Sequence, residues 1–345
     1  MYNDIKLLEL KKNFFIHLYK IYIKKKKEHN LDKFNYLIIQ ELSKIIKYIN
    51  NFLKINYIHK DYFYGAKYFN INDCNDINIL INKMNIFDEN KFIDIIDYKL
   101  NLQEHIDIDP NIDSNMNSNI DSNIDSINKS PYMLFTYVNE KKFKLLPYKY
   151  FLKISQLFSK TLGIKEEHTK YKDQIIKKFI NIICNTKVFI FLFHILREKK
   201  IIKHFCDFPT YIHKLWFSPY SKKNINDSSL FEHIFIGETT YKYIYGFHNW
   251  IQFYNEEKIG KINYYGYIKY ISNIIFIKFS WENKTKKLGS FFIGTSIEFE
   301  MALYTLLHIY TDDNKYKIKV KYQNNDIMFR IIKENNKLIT IYPKL

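Results

Sequence analysis

A chain of 345 residues with 47% hydrophobic and 26% charged residues can bury a full core, as one large domain or two lobes, which excludes a disordered chain. The formal charge of +17 and the pI near 9.3 favour a polyanionic partner, because each phosphate neutralised by lysine or arginine releases condensed counterions. Tyrosine (30) and phenylalanine (29) are abundant and glycine (8) is scarce, but the accompanying wealth of Asn, Lys and Ile marks a coding bias toward A and T, so neither aromatic nor lysine richness identifies the partner.

From Ile5 to Lys27 apolar residues alternate with Lys and Glu, without the uninterrupted apolar stretch and small-residue cleavage site of a signal peptide. Helical spacing of Leu7, Leu10, Phe14 and Leu18, and then of Ile38, Ile39, Leu42, Ile45, Ile46 and Ile49, predicts helices over 1–60. The Lys24 to Lys27 run reads as a solvated helix end before it reads as a phosphate contact. From about Glu104 to Ser130 the chain turns Asn/Asp/Ser/Ile-rich and repeats NIDSN, with six acids against the single Lys129, which makes the remainder more basic than the total. This segment is expected to be a disordered insertion that splits one domain.

Residues 150–216 are again predicted helical, with Ile175, Ile176, Phe179, Ile182 and Ile183 on one stripe and Phe189, Phe193 and Leu196 on another. The strongest apolar run, Val188 to Leu196, is far shorter than the roughly 20 residues that cross a bilayer, so no membrane span is expected. Cys74, Cys184 and Cys206 show no metal-site spacing and their odd number suits no disulfide framework, which points to a reducing, intracellular setting.

After Phe231 short alternating segments punctuated by glycine, such as Ile234 to Ile236, Ile274 to Phe279 and Phe291 to Ile293, predict a mostly antiparallel sheet. One helix interrupts it, with Thr295 as cap, Glu298 completing a capping box, and Phe299, Leu303, Leu306 and Tyr310 as the buried stripe. Lys315 to Tyr322 places four lysines on one strand face and Tyr316, Ile318, Val320 and Tyr322 on the other. An RNA track and a lysine-protected edge strand are both open readings.

Cleaving RNA without a nucleotide cofactor requires one group to deprotonate the 2′-hydroxyl, one to protonate the leaving 5′-oxygen, and a cation at the phosphoryl oxygens. Histidine titrates in the range that suits either proton transfer, and lysine supplies the charge. Of eleven histidines, His233 in Phe231-Glu232-His233-Ile234-Phe235-Ile236-Gly237-Glu238 and His248 in Gly246-Phe247-His248-Asn249-Trp250 stand apart. Gly237 and Gly246 between them allow a strand, a turn and a returning strand; a pair of core histidines is the alternative.

These two segments, together with Ile251 to Tyr254, Glu256-Glu257-Lys258, Gly260, Phe279-Ser280-Trp281, Lys286, Gly289-Ser290, Phe292 to Ser296, Glu298-Phe299-Glu300 and Ala302-Leu303-Tyr304, resemble the signature of the EndoU family of poly(U)-specific endoribonucleases. Leu134 to Val138 and Trp216 to Tyr220 are also similar to family segments. The likeness covers about 135–345 and extends loosely back to residue 34, so that 1–33 reads as an N-terminal helical extension and 34–345 as an EndoU-like domain with its catalytic lobe at about 225–345.

The resemblance implies an α+β fold, with a helical N-terminal half packed on an antiparallel β-sheet catalytic half. It implies His233 as general acid, His248 as general base and Lys286 as the catalytic lysine, an order of roles that this chain alone does not assign. It further implies Thr340 and Tyr342 in base recognition, Asn249 fixing the local turn or contacting substrate, and stimulation by Mn2+ or Ca2+, with Glu232 and Glu238 as metal ligands or as residues that orient a histidine. The expected activity is cleavage of single-stranded, uridine-containing RNA to 2′,3′-cyclic phosphate and 5′-hydroxyl ends by a monomer. A non-cleaving RNA-binding module is the alternative. Leu230, Asn263 and the insertion depart from the family pattern without removing a reacting group.

Overall fold

The structure, a computed structural model, describes residues 71–107 and 130–345 apart from 168, 224, 312–315 and 335–336. The expected extension 1–33, the helices over 1–60, the Lys24 to Lys27 run, Lys315 and most of the insertion lie outside the described residues.

Helix α1 (Ile77–Phe87) is capped by Asp76, whose carboxylate accepts the Asn78 amide at 2.8 Å. Strands β1 (Tyr98–Leu100) and β2 (Phe135–Val138) then pair antiparallel on either side of the insertion. Helices α2 (Leu146–Ser155), α3 (Lys170–Ile183), α4 (Lys187–Glu198) and α5 (Phe208–Phe217) follow. The buried face of α3 is Ile176, Phe179, Ile180 and Ile183, an i, i+3, i+4, i+7 set, which leaves Ile175 and Ile182 half-buried at its margins. In α4 every residue from Val188 to Leu196 is buried, so the strongest apolar run of the chain is a core helix. No single helix among the described residues is long and apolar enough to cross a membrane.

The second half holds the hairpin β3 (Glu238–Thr239) with β4 (Ile244–Tyr245), helix α6 (Trp250–Lys258), strands β5 (Ile262–Ile271), β6 (Ile274–Trp281) and β7 (Lys284–Phe292), helix α7 (Ile297–Ile309), and strands β8 (Lys317–Tyr322), β9 (Asn325–Glu334) and β10 (Lys337–Lys344). Strands β5-β6-β7 and β10-β9-β8 form two antiparallel sheets. The α+β architecture matches the expectation. Both sheets turn on two-residue connections with both residues at positive φ: Ser272-Asn273, Glu282-Asn283 and Gln323-Asn324. Such turns follow the right-handed twist of the strands, and in a chain this poor in glycine asparagine takes the second position.

Four local expectations are corrected. Leu230 to Ile236 is not strand: a helical turn runs into a π-helical segment, Glu232–Ile236, ended by Gly237 at φ +81°. The i, i+4 pair Phe231 and Phe235 decides this, because both rings enter the helical core, Phe231 stacked on Phe217 at 4.6 Å and Phe235 on Trp216 at 5.4 Å. The strand, turn and returning strand expected between Gly237 and Gly246 are present as the β3–β4 hairpin, but one helix was expected in this half and α6, capped by Asn249 and closed by Gly260 at φ +74°, is a second, so that Gly260 ends a helix where a turn between strands was expected. The cap of α7 is Ser296, whose hydroxyl accepts the Phe299 amide at 3.0 Å; Thr295 instead donates to Glu300, and Glu298 is bonded by Asn90. Glu104 to Ile106, assigned to the insertion from composition, lie along β5, with the Tyr267 amide donating to Glu104 O and the Ile106 amide to Tyr267 O.

The alternation read in Lys315 to Tyr322 holds within β8, while Tyr316, just before the strand, is exposed and Ile318 half-buried. Lys317, Lys319 and Lys321 are exposed, while Val320 and Tyr322 are buried. Strand β8 is the edge of its sheet, and α1 covers it at Lys321, whose amide donates to Asn78 Oδ1 and whose carbonyl accepts from Asn82.

Candidate active site

His233 and His248 sit outside the strands, one inside the π-helical segment and the other just before α6. Backbone bonds clamp their segments together: the Phe247 amide donates to His233 O at 2.9 Å and the His248 amide to Ile234 O at 2.6 Å. Two glycines permit this approach. A Cβ on Gly246 (φ +59°) would lie 1.7 Å from His233 O, and one on Gly237 would lie 2.2 Å from the Phe247 ring. Phe247 itself is held at φ +65°, a conformation uncommon for a bulky residue, between Gly246 and His248.

Lys286 comes from β7, paired with Phe279 beside an irregularity in the β6–β7 register. Its ammonium donates to the carbonyl of Gly246, which ties the cation to the clamp between the histidines. Burial, with a smaller push from Lys222, brings its pKa down from 10.5 to about 7. The three side chains that the sequence singled out are therefore brought to one place.

His248 Nδ1 lies 2.8 Å from the carbonyl of Ser290. A carbonyl can only accept, so Nδ1 carries the hydrogen and, in the neutral ring, Nε2 carries the lone pair. Burial, and then the Lys286 charge, hold its pKa well below 6.5. The ring of Tyr342 stacks on His248 at 4.4 Å with the planes 3° apart. Thr340 lies two residues earlier in β10, on the same strand face, and its buried hydroxyl has no hydrogen-bond partner among the described residues. Asn249 is fully buried; its Oδ1 accepts the Ile251 and Gln252 amides, each at 3.1 Å.

His233 Nδ1 lies 2.8 Å from Glu238 Oε2 and against the ammonium of Lys222, which in turn is 2.7 Å from the same carboxylate oxygen. Burial and the Lys222 charge, against the pull of Glu238, bring the His233 pKa down to about 4. Burial pushes Glu238 up, but the His233 bond and the Lys222 charge outweigh it and hold the carboxyl below 4.5.

Glu232 Oε2 and Glu238 Oε1 are buried without a hydrogen-bond partner among the described residues. Glu238 Oε2 is engaged by His233 and Lys222. Burial, and then the carboxylates of Glu238 and Glu166, push Glu232 up to about 10. No group of three or more His, Cys, Asp or Glu among the described residues is placed to hold an ion. Between the metal and orienting readings of Glu238, its contacts favour the orienting one.

Two site residues escaped the sequence reading. Lys222 comes two residues after the Trp216 to Tyr220 run, but nothing in its spacing separates it from a solvated lysine. It is placed by Asp227, whose carboxylate accepts the Lys222, Lys223 and Gly163 amides. Ser290 offers its carbonyl to His248 while its hydroxyl donates to Pro343 O at 2.6 Å, which links β7 to the strand carrying Tyr342. The paired acids Glu256 and Glu257 are structural. Glu256 accepts Trp281 Nε1 and Gln252 Nε2, and Glu257 accepts the Leu134 and Phe135 amides.

The family model described as Endoribonuclease XendoU matches residues 76–343. The uridylate-specific endoribonuclease of Bos taurus is 36% identical over 189 residues, 53% of this chain and 46% of that protein. The poly(U)-specific endoribonuclease of Xenopus tropicalis is 28% identical over 283 residues, 78% of this chain and 93% of that protein. The match thus spans about half the length of the mammalian relatives and nearly all of the amphibian one. A solved structure of XendoU, described as a splicing-independent snoRNA processing endoribonuclease, superposes with a TM-score of 0.64 at 26% identity over 77% of this chain and 95% of that one.

Proposed function

Because the chain belongs to the XendoU endoribonuclease family, we propose that it cleaves single-stranded RNA after uridine by transesterification. His248 Nε2 takes the proton of the uridine 2′-hydroxyl, and the 2′-oxygen attacks the adjacent phosphorus. The bond from phosphorus to the 5′-oxygen breaks, and His233 delivers a proton to that oxygen. Lys286 faces the phosphoryl oxygens, where negative charge accumulates. The products are a 2′,3′-cyclic phosphate and a 5′-hydroxyl, and no water is consumed.

The observation that carries this reading is the Nδ1 bond of His248 to the Ser290 carbonyl, which leaves a neutral ring with its Nε2 lone pair available as a base. In the free protein His233 is held neutral by burial and Lys222. The negative charge of a bound phosphate offsets the lysines and raises both His233 and Lys286 into their protonated forms. Tyr342, stacked on His248, and the unpartnered hydroxyl of Thr340 supply a surface and a polar group for the uracil. Asn249, spent on capping α6, supports the site without touching the base. No step is routed through Glu232 or Glu238 as metal ligands.

The test is to incubate uridine-containing oligonucleotides with the protein, with and without manganese, calcium or a chelator, and to identify the ends. Cyclic phosphate and 5′-hydroxyl ends are expected, lost when the uridine is 2′-deoxy and reduced ~100-fold or more in His248→Ala. Intact RNA would support a binding module instead. Terminal phosphates formed without a cyclic product would overturn the transesterification.

A further inference from the structure

Between the β3–β4 hairpin and the β6–β7 turn lies a cleft of about 610 Å³ that the reaction above does not use. Its volume falls within the range of about 300–1,000 Å³ typical of small-ligand sites. The tip of the β3–β4 hairpin contributes Thr240, Tyr241 and Lys242, and the β6–β7 turn contributes Asn283, Lys284 and the acidic Glu282, whose carboxylate is paired with Lys261 at 3.1 Å; Thr161, Thr239 and Thr285 complete the lining. Both elements are rooted in the candidate site. Strand β3 begins at Glu238, the partner of His233, β4 leads into Gly246, and Lys284 lies two residues before Lys286.

The chemistry of the walls is that of a single-strand track. Lys284 and Lys286 share a strand face, both half-buried between exposed neighbours, so a row of cations leads from the reacting centre into the cleft. Tyr241 is 92% exposed at the hairpin tip, next to the exposed Lys242. An exposed tyrosine alone identifies no partner in a chain this rich in tyrosine, but at the rim of a cleft that also carries Lys242 and Lys284 a base can stack on Tyr241 while a phosphate meets the ammonium groups.

We propose that this cleft is a subsite for the RNA segment on the 3′ side of the scissile phosphate, with a base on Tyr241 and backbone phosphates on Lys242 and Lys284. The polarity rests on the proposed reaction. The uridine lies by His248 and Tyr342, and the departing 5′-oxygen lies by His233, whose partner Glu238 opens the hairpin that leads to the cleft.

The experiment compares three substrates: a dinucleotide with uridine at its 5′ side, the same extended by four nucleotides on the 3′ side, and the same extended by four on the 5′ side. The 3′ extension should raise kcat/KM. Tyr241→Ala, and separately Lys242→Ala with Lys284→Ala, should abolish that gain, about tenfold, while leaving the dinucleotide and the 5′-extended substrate unchanged. Removing both lysines should also lower the log–log salt slope of binding by roughly 1.4.

A wild-type protein indifferent to the 3′ extension, or variants that lose activity equally on all three substrates, would overturn the subsite. Loss confined to the 5′-extended substrate would overturn its polarity. Binding of 2′-deoxyuridine versions, read by fluorescence anisotropy, separates this proposal from the reaction. If the wild type binds but does not cleave ribonucleotides, the reaction fails, and the subsite still stands or falls by whether Tyr241→Ala weakens binding of the 3′-extended strand.

Discussion

His233 meets Glu238 and Lys222 at a single ring nitrogen, so its protonation answers to both. The Lys222 charge is the second cause of its low pKa, after burial. Lys222→Met should therefore raise the His233 pKa above its value of about 4, which an NMR titration of the imidazole would read; an unchanged pKa would refute the coupling. Lys286 must be charged to face a phosphoryl group, and its free-protein pKa of about 7 puts an alkaline fall near neutrality in kcat/KM. In kcat that fall should move to higher pH, because bound phosphate holds the proton on. Lys286→Arg, whatever it does to the rate, should remove the part of the alkaline fall that lies near pH 7, since a guanidinium does not titrate there, and leave the fall that begins at lower pH with the general acid His233. Gly246→Ala would drive a methyl into the His233 carbonyl and part the two histidine segments. A drop of about 100-fold in kcat/KM with an unchanged far-ultraviolet circular dichroism spectrum is expected, and wild-type activity would show that the clamp does not set the geometry.

Helix α6 and the π-helical segment are the elements that hold the site. Asn249 caps α6 one residue after His248, so helix formation fixes where that imidazole begins. Asn249→Ala should cost about 1 kcal/mol or more, a fall of roughly 2–4 °C in Tm, and should lower kcat more than it raises KM. Loss of stability with full activity would reduce Asn249 to a cap alone. The π-helical segment is anchored by Phe231 and Phe235 among Phe151, Phe179, Trp216 and Phe217, rings supplied by α2, α3 and α5. The helical half thus positions His233 although it contributes no reacting group.

Across the whole molecule, buried carboxyls make stability depend on pH. Glu300 in α7 is fully buried, bonded by the Thr295 hydroxyl and approached by the Asn249 side chain, and burial raises its pKa well above 4.5 against both. Because the folded pKa is the higher one, the folded state holds an extra proton between the two values. The contribution is fully present below about pH 4.5 and is lost as pH rises toward the folded value, by ~1.4 kcal/mol per unit. Glu300→Gln keeps an acceptor for Thr295 and cannot ionise. Its Tm relative to wild type should therefore climb as pH goes from 5 to 8; a constant difference would place the ionisation elsewhere.

The reacting residues were legible from sequence because the peptide around each carries a recognisable order of types, and chemistry restricts those types to histidine and lysine. The antiparallel sheets and the apolar faces of α3 and α4 were legible because periods of 2 and 3.6 are local. The conformation around the histidines was not. Gly237 and Gly246 punctuate a strand pattern as well as they permit a close backbone crossing, and only the bonds to His233 O and Ile234 O decide between the two. Lys222, Ser290 and the Tyr241 cleft depend on segments far apart in the chain, and the pKa of Glu232 is raised by surroundings that residue order does not specify. Residue type and local period are properties of neighbours along the chain, whereas burial, hydrogen-bond partners and the charge state of a group are set by neighbours in space.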